Sequence, residues 1–270
     1  MGKTAIKTSA PQDSSRVSVD DDYIPSLEKA LAVLQLFRSD APEWTLSQIA
    51  RELQLTPGTT RRILRTLEKL GFAESLEGRF RLTPRVLNLG FAYLSSQPFS
   101  ETAQPLLAKL ARQLQATCCI TVLDEREVVY IARSTHKPIE PFYIHVGARL
   151  PAYATAPGKV LLAQLSEQEL AARLDGWRLD PFTPNTLVDV AALQEEVEAA
   201  RRNGFALNDQ ELFLGQRSLA VPLALAGTPS AALVVATSVS NVSNEGMVTD
   251  MLGPVQTAAA EIEQVASALL

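Results

Sequence analysis

The amino-acid sequence predicts an α+β chain of two modules. A small helical module closed by a β-hairpin precedes a larger one built on a largely antiparallel sheet. Three observations carry this. Helical apolar spacing dominates up to residue 70 and gives way after Gly71 to two short apolar stretches around Glu77-Gly78. Beyond residue 100 a helix leads into three strands, then helices, three more strands and a closing helix, which is the order of an α+β domain. Charge divides the same way. Residues 51–85 hold eight bases and four acids, a net of +4, which leaves −9 for the rest of a 270-residue chain whose total is −5.

Residues 1–22, rich in Ser, Thr, Lys and Asp, predict a disordered tail. From Ser26 the stripe Leu27, Leu31, Leu34, Phe37 is one face of a helix, ended at residues 39–42. Thr45 with Gln48 forms a capping box that opens a short helix through Leu53. Thr56 then caps a third helix with Pro57 at its first position, and Gly71 stops it after Leu70. A hairpin follows over residues 72–82. Thr83-Pro84 starts a linker helix whose apolar positions, among them Leu87, Gly90 and Leu94, call for a partner surface.

In the second module a helix over 101–115 precedes strands at 117–123 and 127–133, turning at 124–126, with a third strand at 141–146. Helices are expected near 158–164, from the capping box Ser166–Glu169 to Leu174, and over 190–203 with Gly204 as the stop. Strands at 205–207, 218–225 and 231–239, the last two joined by a turn at 227–229, precede a last helix over 245–269. The domains predicted are therefore a tail to residue 22, a helical module with its hairpin over 23–83, a linker helix over 84–98 and an α+β domain over 99–270.

Composition excludes several classes. No apolar run approaches the ~20 residues that span a bilayer, and the first 22 residues carry no apolar core of a secretory signal. Cys118 and Cys119 are adjacent, which suits neither a disulfide framework nor a zinc ligand pair. The expectation is a reduced, cytoplasmic protein without a membrane partner. With a pI near 5.2 the chain as a whole is no polyanion binder, so any nucleic-acid contact must be local.

Local charge supplies such a contact. At about 100° per residue, Ile63, Leu64, Leu67 and Leu70 gather on one side of the third helix. Arg61, Arg62, Arg65 and Lys69 share the opposite arc. Two short helices joined by a tight turn, then a basic hairpin carrying Arg79 and Arg81, make a winged helix-turn-helix. In that arrangement the third helix enters the major groove and the hairpin arginines lie along phosphates or a minor groove.

From Tyr23 onward the sequence resembles the IclR family of bacterial transcriptional regulators. The resemblance rests on five motifs in order: residues 26–34 (SLEKALAVL), 56–67 (TPGTTRRILRTL), 80–90 (FRLTPRVLNLG), 147–163 (GARLPAYATAPGKVLLA) and 214–220 (LGQRSLA). It implies DNA contacts from Thr56, Gly58, Thr59, Thr60, Arg61, Arg62, Arg65, Arg79 and Arg81, although family members often have Ser where Gly58 stands. It also implies a GAF-like effector domain, dimers or dimers of dimers, RNA polymerase as a further partner, and small organic acids as effectors. Arg61-Arg62, residues 84–96 and residues 151–155 look most like the subgroup governing aromatic-acid breakdown through the β-ketoadipate pathway. Members there respond to 4-hydroxybenzoate, protocatechuate or β-ketoadipate.

The effector positions that the resemblance implies are Ala156, Pro157, Asn208, Gln216, Ser218, Ser238 and Ser240, and the candidate site also takes in Thr155 and Gly158 at the start of the helix. By their chemistry, the loop at 154–158 precedes a helix, so N–H groups near Gly158 and Lys159 can receive a carboxylate, while Pro157 has none to offer. Glycine there serves loop geometry equally well. The serines suit hydrogen bonds to a polar ligand and suit strand edges without one. No catalytic, metal or cofactor site is expected. Dinucleotide and phosphate-loop signatures are missing, Gly158-Lys159 being followed by Val160. The imidazoles of His136 and His145 lack a nucleophile motif, and Asp209 and Glu211 read as solvated or structural carboxylates. The alternative function is a small-molecule-sensing module acting through protein partners. The basic helix and hairpin argue against it.

Overall fold

The computed structural model describes residues 23–38, 41–95, 100–136, 144–225 and 230–268. Its contacts divide between Gly90 and Phe91. In the first unit, helix α1 (Pro25–Gln35) buries Val33 fully, with Ala30, Leu34 and Phe37 packed beside it. Leu27 and Leu31 are exposed. The expected stripe is thus rotated: the core selects positions 30, 33, 34 and 37, also a helical repeat, with a smaller Ala and Val where the sequence offered two leucines.

A two-residue strand absent from the sequence reading, β1 (Trp44–Thr45), leads into α2 (Leu46–Glu52). The capping box forms as expected: Gln48 N–H donates to Thr45 Oγ1, and Thr45 N–H donates to Gln48 Oε1 at 2.8 Å. Gln54, at φ +52°, turns the chain towards α3 (Pro57–Leu70), which Thr56 caps and Gly71 terminates at φ +76°. The hairpin β2 (Ala73–Leu76) and β3 (Arg79–Leu82) closes with both Glu77 and Gly78 left-handed, the turn that matches strand twist. β1 pairs on the far side of β3. Ile49, Ile63, Leu64, Leu67 and Ala73 complete this core. Leu70, assigned to the buried side by its angle, is half exposed because α3 overruns the core at its C-terminus. Thr83 then caps a 3-10 turn, Pro84–Val86, and α4 (Leu87–Ser95) follows.

The second unit contains α5 (Ser100–Leu114), β4 (Thr117–Asp124), β5 (Glu127–Thr135), β6 (Arg149–Pro151), α6 (Ala156–Ala163), α7 (Glu167–Leu174), α8 (Val190–Asn203), β7 (Ala206–Asp209), β8 (Gln216–Leu223) and β9 (Ala231–Ser238). A single turn α9 (Asn244–Gly246) and a π-turn (Met247–Met251) precede α10 (Leu252–Ser267), where one long helix was expected. The six strands lie in the order β6-β5-β4-β9-β8-β7, every pair antiparallel.

Strand alternation sends Ile120, Leu219, Leu233 and Val235 to one face, beneath α5 and α10. Cys119, Tyr130, Ala220 and Val234 face α6 and α8 on the other. Of the strand expected over 141–146, residues 141–143 lie outside the described residues, and Ile144–Val146 is not strand. The edge strand forms at 149–151 instead, after Gly147 (φ +88°) reverses the chain. Its Pro151 fits an edge, where no ladder donor is needed. The turn expected at 227–229 also lies outside the described residues.

Helix α6 begins two residues earlier than expected, at the cap Thr155, and packs against the preceding turn so closely that Gly158 is obligatory. A Cβ there would stand 2.0 Å from the Ala152 carbonyl oxygen and 2.4 Å from its Cα. Gly58 on α3 has open space around it. Gly158→Ala is therefore expected to cost about 3 kcal/mol, the upper end for overpacking. Gly58→Ala is expected to change stability by under ~1 kcal/mol. Urea unfolding of the two variants checks the contrast; equal midpoints would contradict the close approach.

Candidate functional site

On α3 the arc expected to be cationic is exposed. Arg61, Arg62, Arg65 and Lys69 all face solvent, and none forms an ion pair with a described residue. Thr56 spends its hydroxyl on capping, accepting from Thr59 N–H and donating to Thr59 Oγ1 at 2.9 Å. Gly58 is exposed and offers only backbone. Thr60 is a correction: it is fully buried, its hydroxyl bonded to Thr56 O at 3.1 Å, and cannot reach a groove. The helix angle explains why, since position 60 falls between Ile63 and Leu64. On the hairpin Arg79 is open, whereas Arg81 pairs across the strands with Glu74 at 2.7 Å. Both partners of that pair are about half exposed, so the pair is weak and a phosphate can displace the carboxylate.

In the second unit a narrow cavity opens on the sheet face beneath α6. Its walls are mainly apolar: Ile144, Leu150, Ala154, Leu212, Val234 and Ala236. Of the nine expected effector residues, Thr155, Asn208, Gln216 and Ser218 line it. Thr117, Cys119 and Tyr130 line it as well and were not anticipated. They lie on strands β4 and β5, and alternation around the apolar run of β4 was the signal available for two of them.

Ala156, Pro157 and Gly158 do not line the cavity, and the anion-receiving role for the helix start is corrected. Gly158 N–H donates to Thr155 Oγ1 at 3.2 Å and Lys159 N–H to Thr155 O at 3.1 Å, so the capping residue itself consumes both donors. Ser238 ends β9 opposite Gln216, Ser240 lies beyond the strand, and their hydroxyls bond each other at 2.9 Å. Neither reaches the cavity. Ser218 stands two residues inside β8 rather than at its start.

The polar groups around the cavity fall into two sets. Asn208 is structural: its Nδ2 donates to Ala154 O at 2.7 Å, and its Oδ1 accepts from Glu211 N–H. Thr117 and Thr155 are bonded within the protein too. The side chains of Tyr130, Gln216 and Ser218 make no hydrogen bond to a described residue, leaving their capacity for an occupant. Cys118 and Cys119 are free thiols. Burial pushes Cys119 up to about 12 against the opposing pull of Arg133, so it remains an unreactive thiol at neutral pH.

Behind Asn208 lies a buried charge network that the sequence reading missed. Lys159, 2% exposed, donates to Glu211 Oε1 at 2.7 Å, Glu196 Oε2 at 3.3 Å and Leu207 O at 3.4 Å. Glu211 is buried and its Oε2 is unpartnered, so burial pushes its carboxyl above the ordinary range despite Lys159. Asp209, two residues earlier, goes elsewhere, to Arg217 at 2.7 Å and Asn244 at 2.6 Å. Among the described residues no three or more His, Cys, Asp or Glu side chains gather as a metal site.

Lys159→Met strands the Glu211 charge, for an expected loss of about 3–5 kcal/mol near pH 8. A carboxyl whose folded pKa is raised is protonated first in the folded state, so stability falls as pH rises above its unfolded value of 4.5. The variant's deficit is therefore expected to shrink towards pH 5, and adding Glu211→Gln to recover part of it. Urea midpoints at the two pH values check this; a deficit independent of pH would contradict it.

Two family models match. The IclR helix-turn-helix domain matches residues 26–77, and the bacterial transcriptional regulator IclR C-terminal domain matches residues 91–264. The chain is 39% identical over 226 residues to the Pca regulon regulatory protein of Pseudomonas putida, covering 83% of this chain and 78% of that one. It is 34% identical over 261 residues to the p-hydroxybenzoate hydroxylase transcriptional activator of Acinetobacter baylyi, covering 94% and 96%. Among solved structures, a protein of Rhodococcus sp. RHA1 superposes with a TM-score of 0.80 at 38% identity, covering 92% and 100%. The inducer-binding domain of a doubly mutated PobR from Acinetobacter, solved with 3-hydroxybenzoic acid, gives 0.57 at 33% identity, covering 61% and 97%.

Proposed function

The chain belongs to the IclR family of bacterial transcriptional regulators, and from that premise we propose how its regulation works. Residues 23–83 bind operator DNA, a small aromatic acid in the cavity of residues 99–270 alters that binding, and residues 84–98 link the two. The observation that carries the DNA half is the exposed arc of Arg61, Arg62, Arg65 and Lys69, unpaired among the described residues, opposite a buried apolar face. α3 enters the major groove, and Arg79 with Arg81 follows the backbone. The protein acts by binding, without catalysis, in the cytoplasm. No helix among the described residues is long and apolar enough to cross a membrane.

One winged module makes too few contacts for a specific site, so the protein reads an inverted repeat as a homodimer or dimer of dimers, with RNA polymerase as its partner when it activates. Exposed Leu27 and Leu31 on α1, and Leu87, Leu89 and Phe91 on α4, supply apolar surface for assembly. For the effector, an apolar cavity with a few uncommitted neutral polar groups suits a small ring acid. The relatives' ties to the Pca regulon and to p-hydroxybenzoate hydroxylase favour 4-hydroxybenzoate or another intermediate of aromatic breakdown.

Gel shifts on the promoter beside the gene, with and without 4-hydroxybenzoate, test both halves. Arg62→Ala is expected to weaken DNA binding by ~1–3 kcal/mol. Ser218→Leu is expected to leave DNA affinity intact and to abolish the acid's effect by filling the cavity. Unchanged affinity in alanine variants of Arg61, Arg62 and Arg65 would overturn the DNA face. An acid that binds a chain without DNA affinity would favour a sensor acting through protein partners.

A further inference from the structure

Strand β5 carries an extra residue. Its register against β4 runs from Ile120↔Ala132 to Thr121↔Tyr130, leaving Ile131 without a partner position. Ile131 and Ala132 accordingly both join the core beneath α5 and α10. Their neighbours on either side, Tyr130 and Arg133, are thereby turned to the opposite face, although three residues apart in sequence. Two contacts support this for the downstream half of the strand. Arg133 stands opposite Cys119, which lines the cavity. Thr135 bonds Thr117, which also lines it, at 2.9 Å.

The two redirected side chains differ in chemistry. The Tyr130 ring lines the cavity and is 4% exposed, and its hydroxyl is bonded to no described residue. Arg133 is half-buried beside the cavity, and its charge acts on the Cys119 thiol. Among the described residues the lining contains no charged side chain. A carboxylate entering so apolar a space needs a cation, and a guanidinium is the group suited to hold it with two parallel hydrogen bonds.

We propose that this bulge builds the recognition end of the cavity, with Arg133 holding the effector's carboxylate and the Tyr130 hydroxyl reading a second oxygen across the ring. Their partner positions on β4, Cys119 and Thr121, are two residues apart, or about 7 Å along the strand. The two side chains therefore start from separate points of one sheet face and can approach a small ring from different sides. The inference rests on the reading of the cavity as an acid site and narrows it to acids bearing a distal hydroxyl. Neither residue is among those that family resemblance assigned.

Calorimetric titration of the full chain with 4-hydroxybenzoate, benzoate and 4-hydroxybenzyl alcohol tests it. The wild type is expected to favour 4-hydroxybenzoate over benzoate. Tyr130→Phe should erase that preference and leave benzoate affinity within about twofold. Arg133→Gln should weaken both acids by about tenfold or more and spare the alcohol, with Arg133→Lys intermediate. Melting of the unliganded variants identifies any that fail to fold, in which case Arg133→Lys decides the carboxylate arm. Acids that bind the wild type and Arg133→Gln equally, or a preference that survives Tyr130→Phe, overturn the proposal while leaving the cavity an acid site. A wild type that binds no acid overturns the ligand class and this proposal with it.

Discussion

The sheet of the second unit is buried on both faces, and that constraint governs everything placed on it. A polar side chain pointing inward from a two-sided sheet has no bulk water to satisfy it, so it bonds within the protein or faces a space that something else fills. Thr117, Thr155 and Asn208 meet the first condition. Tyr130, Gln216 and Ser218 meet the second, and all three line the same cavity. The distinction separates the bonded frame of the cavity from its uncommitted polar groups more sharply than residue type does.

The frame is held from behind. Gly158 lets α6 sit against the backbone of Ala152, which sets Ala154 and Thr155 at the cavity wall. Asn208 ties that turn to the segment leading to Glu211. Lys159, one residue beyond Gly158, closes the loop by pairing with Glu211. A buried ion pair is a poor source of stability, because desolvation offsets most of its attraction. Its geometric effect is different: breaking it costs enough to hold α6 and the 208–212 segment in one arrangement.

Much of this was legible in the sequence, because the signals were local. Both capping boxes, the Thr56-Pro57 start, the Gly71 and Gly204 stops and the Glu77-Gly78 turn depend on residues within four positions of one another. What escaped depends on partners far along the chain. The two-residue β1 exists only because β3 is there to pair with it. Helix α1 turned Val33 inward rather than Leu31 against a core built from residues 49–73. Of the positions expected by resemblance, Asn208, Gln216 and Ser218 line the cavity, but no spacing rule could show that Ser238 and Ser240 satisfy each other. Nor could alternation alone place Arg133, since a bulge shifts the parity of every residue after it. Lys159 and Glu211, 52 positions apart, become a pair only in the fold.

A crystal structure of the full chain grown with 4-hydroxybenzoate tests the central claim most directly. The expected result is the acid lying between β5 and β8, with Ser218 and Gln216 within hydrogen-bond distance and Asn208 still bonded to Ala154. Acid density at the α6 N-terminus or beside Ser238 and Ser240, with Tyr130, Gln216 and Ser218 untouched, would contradict the account.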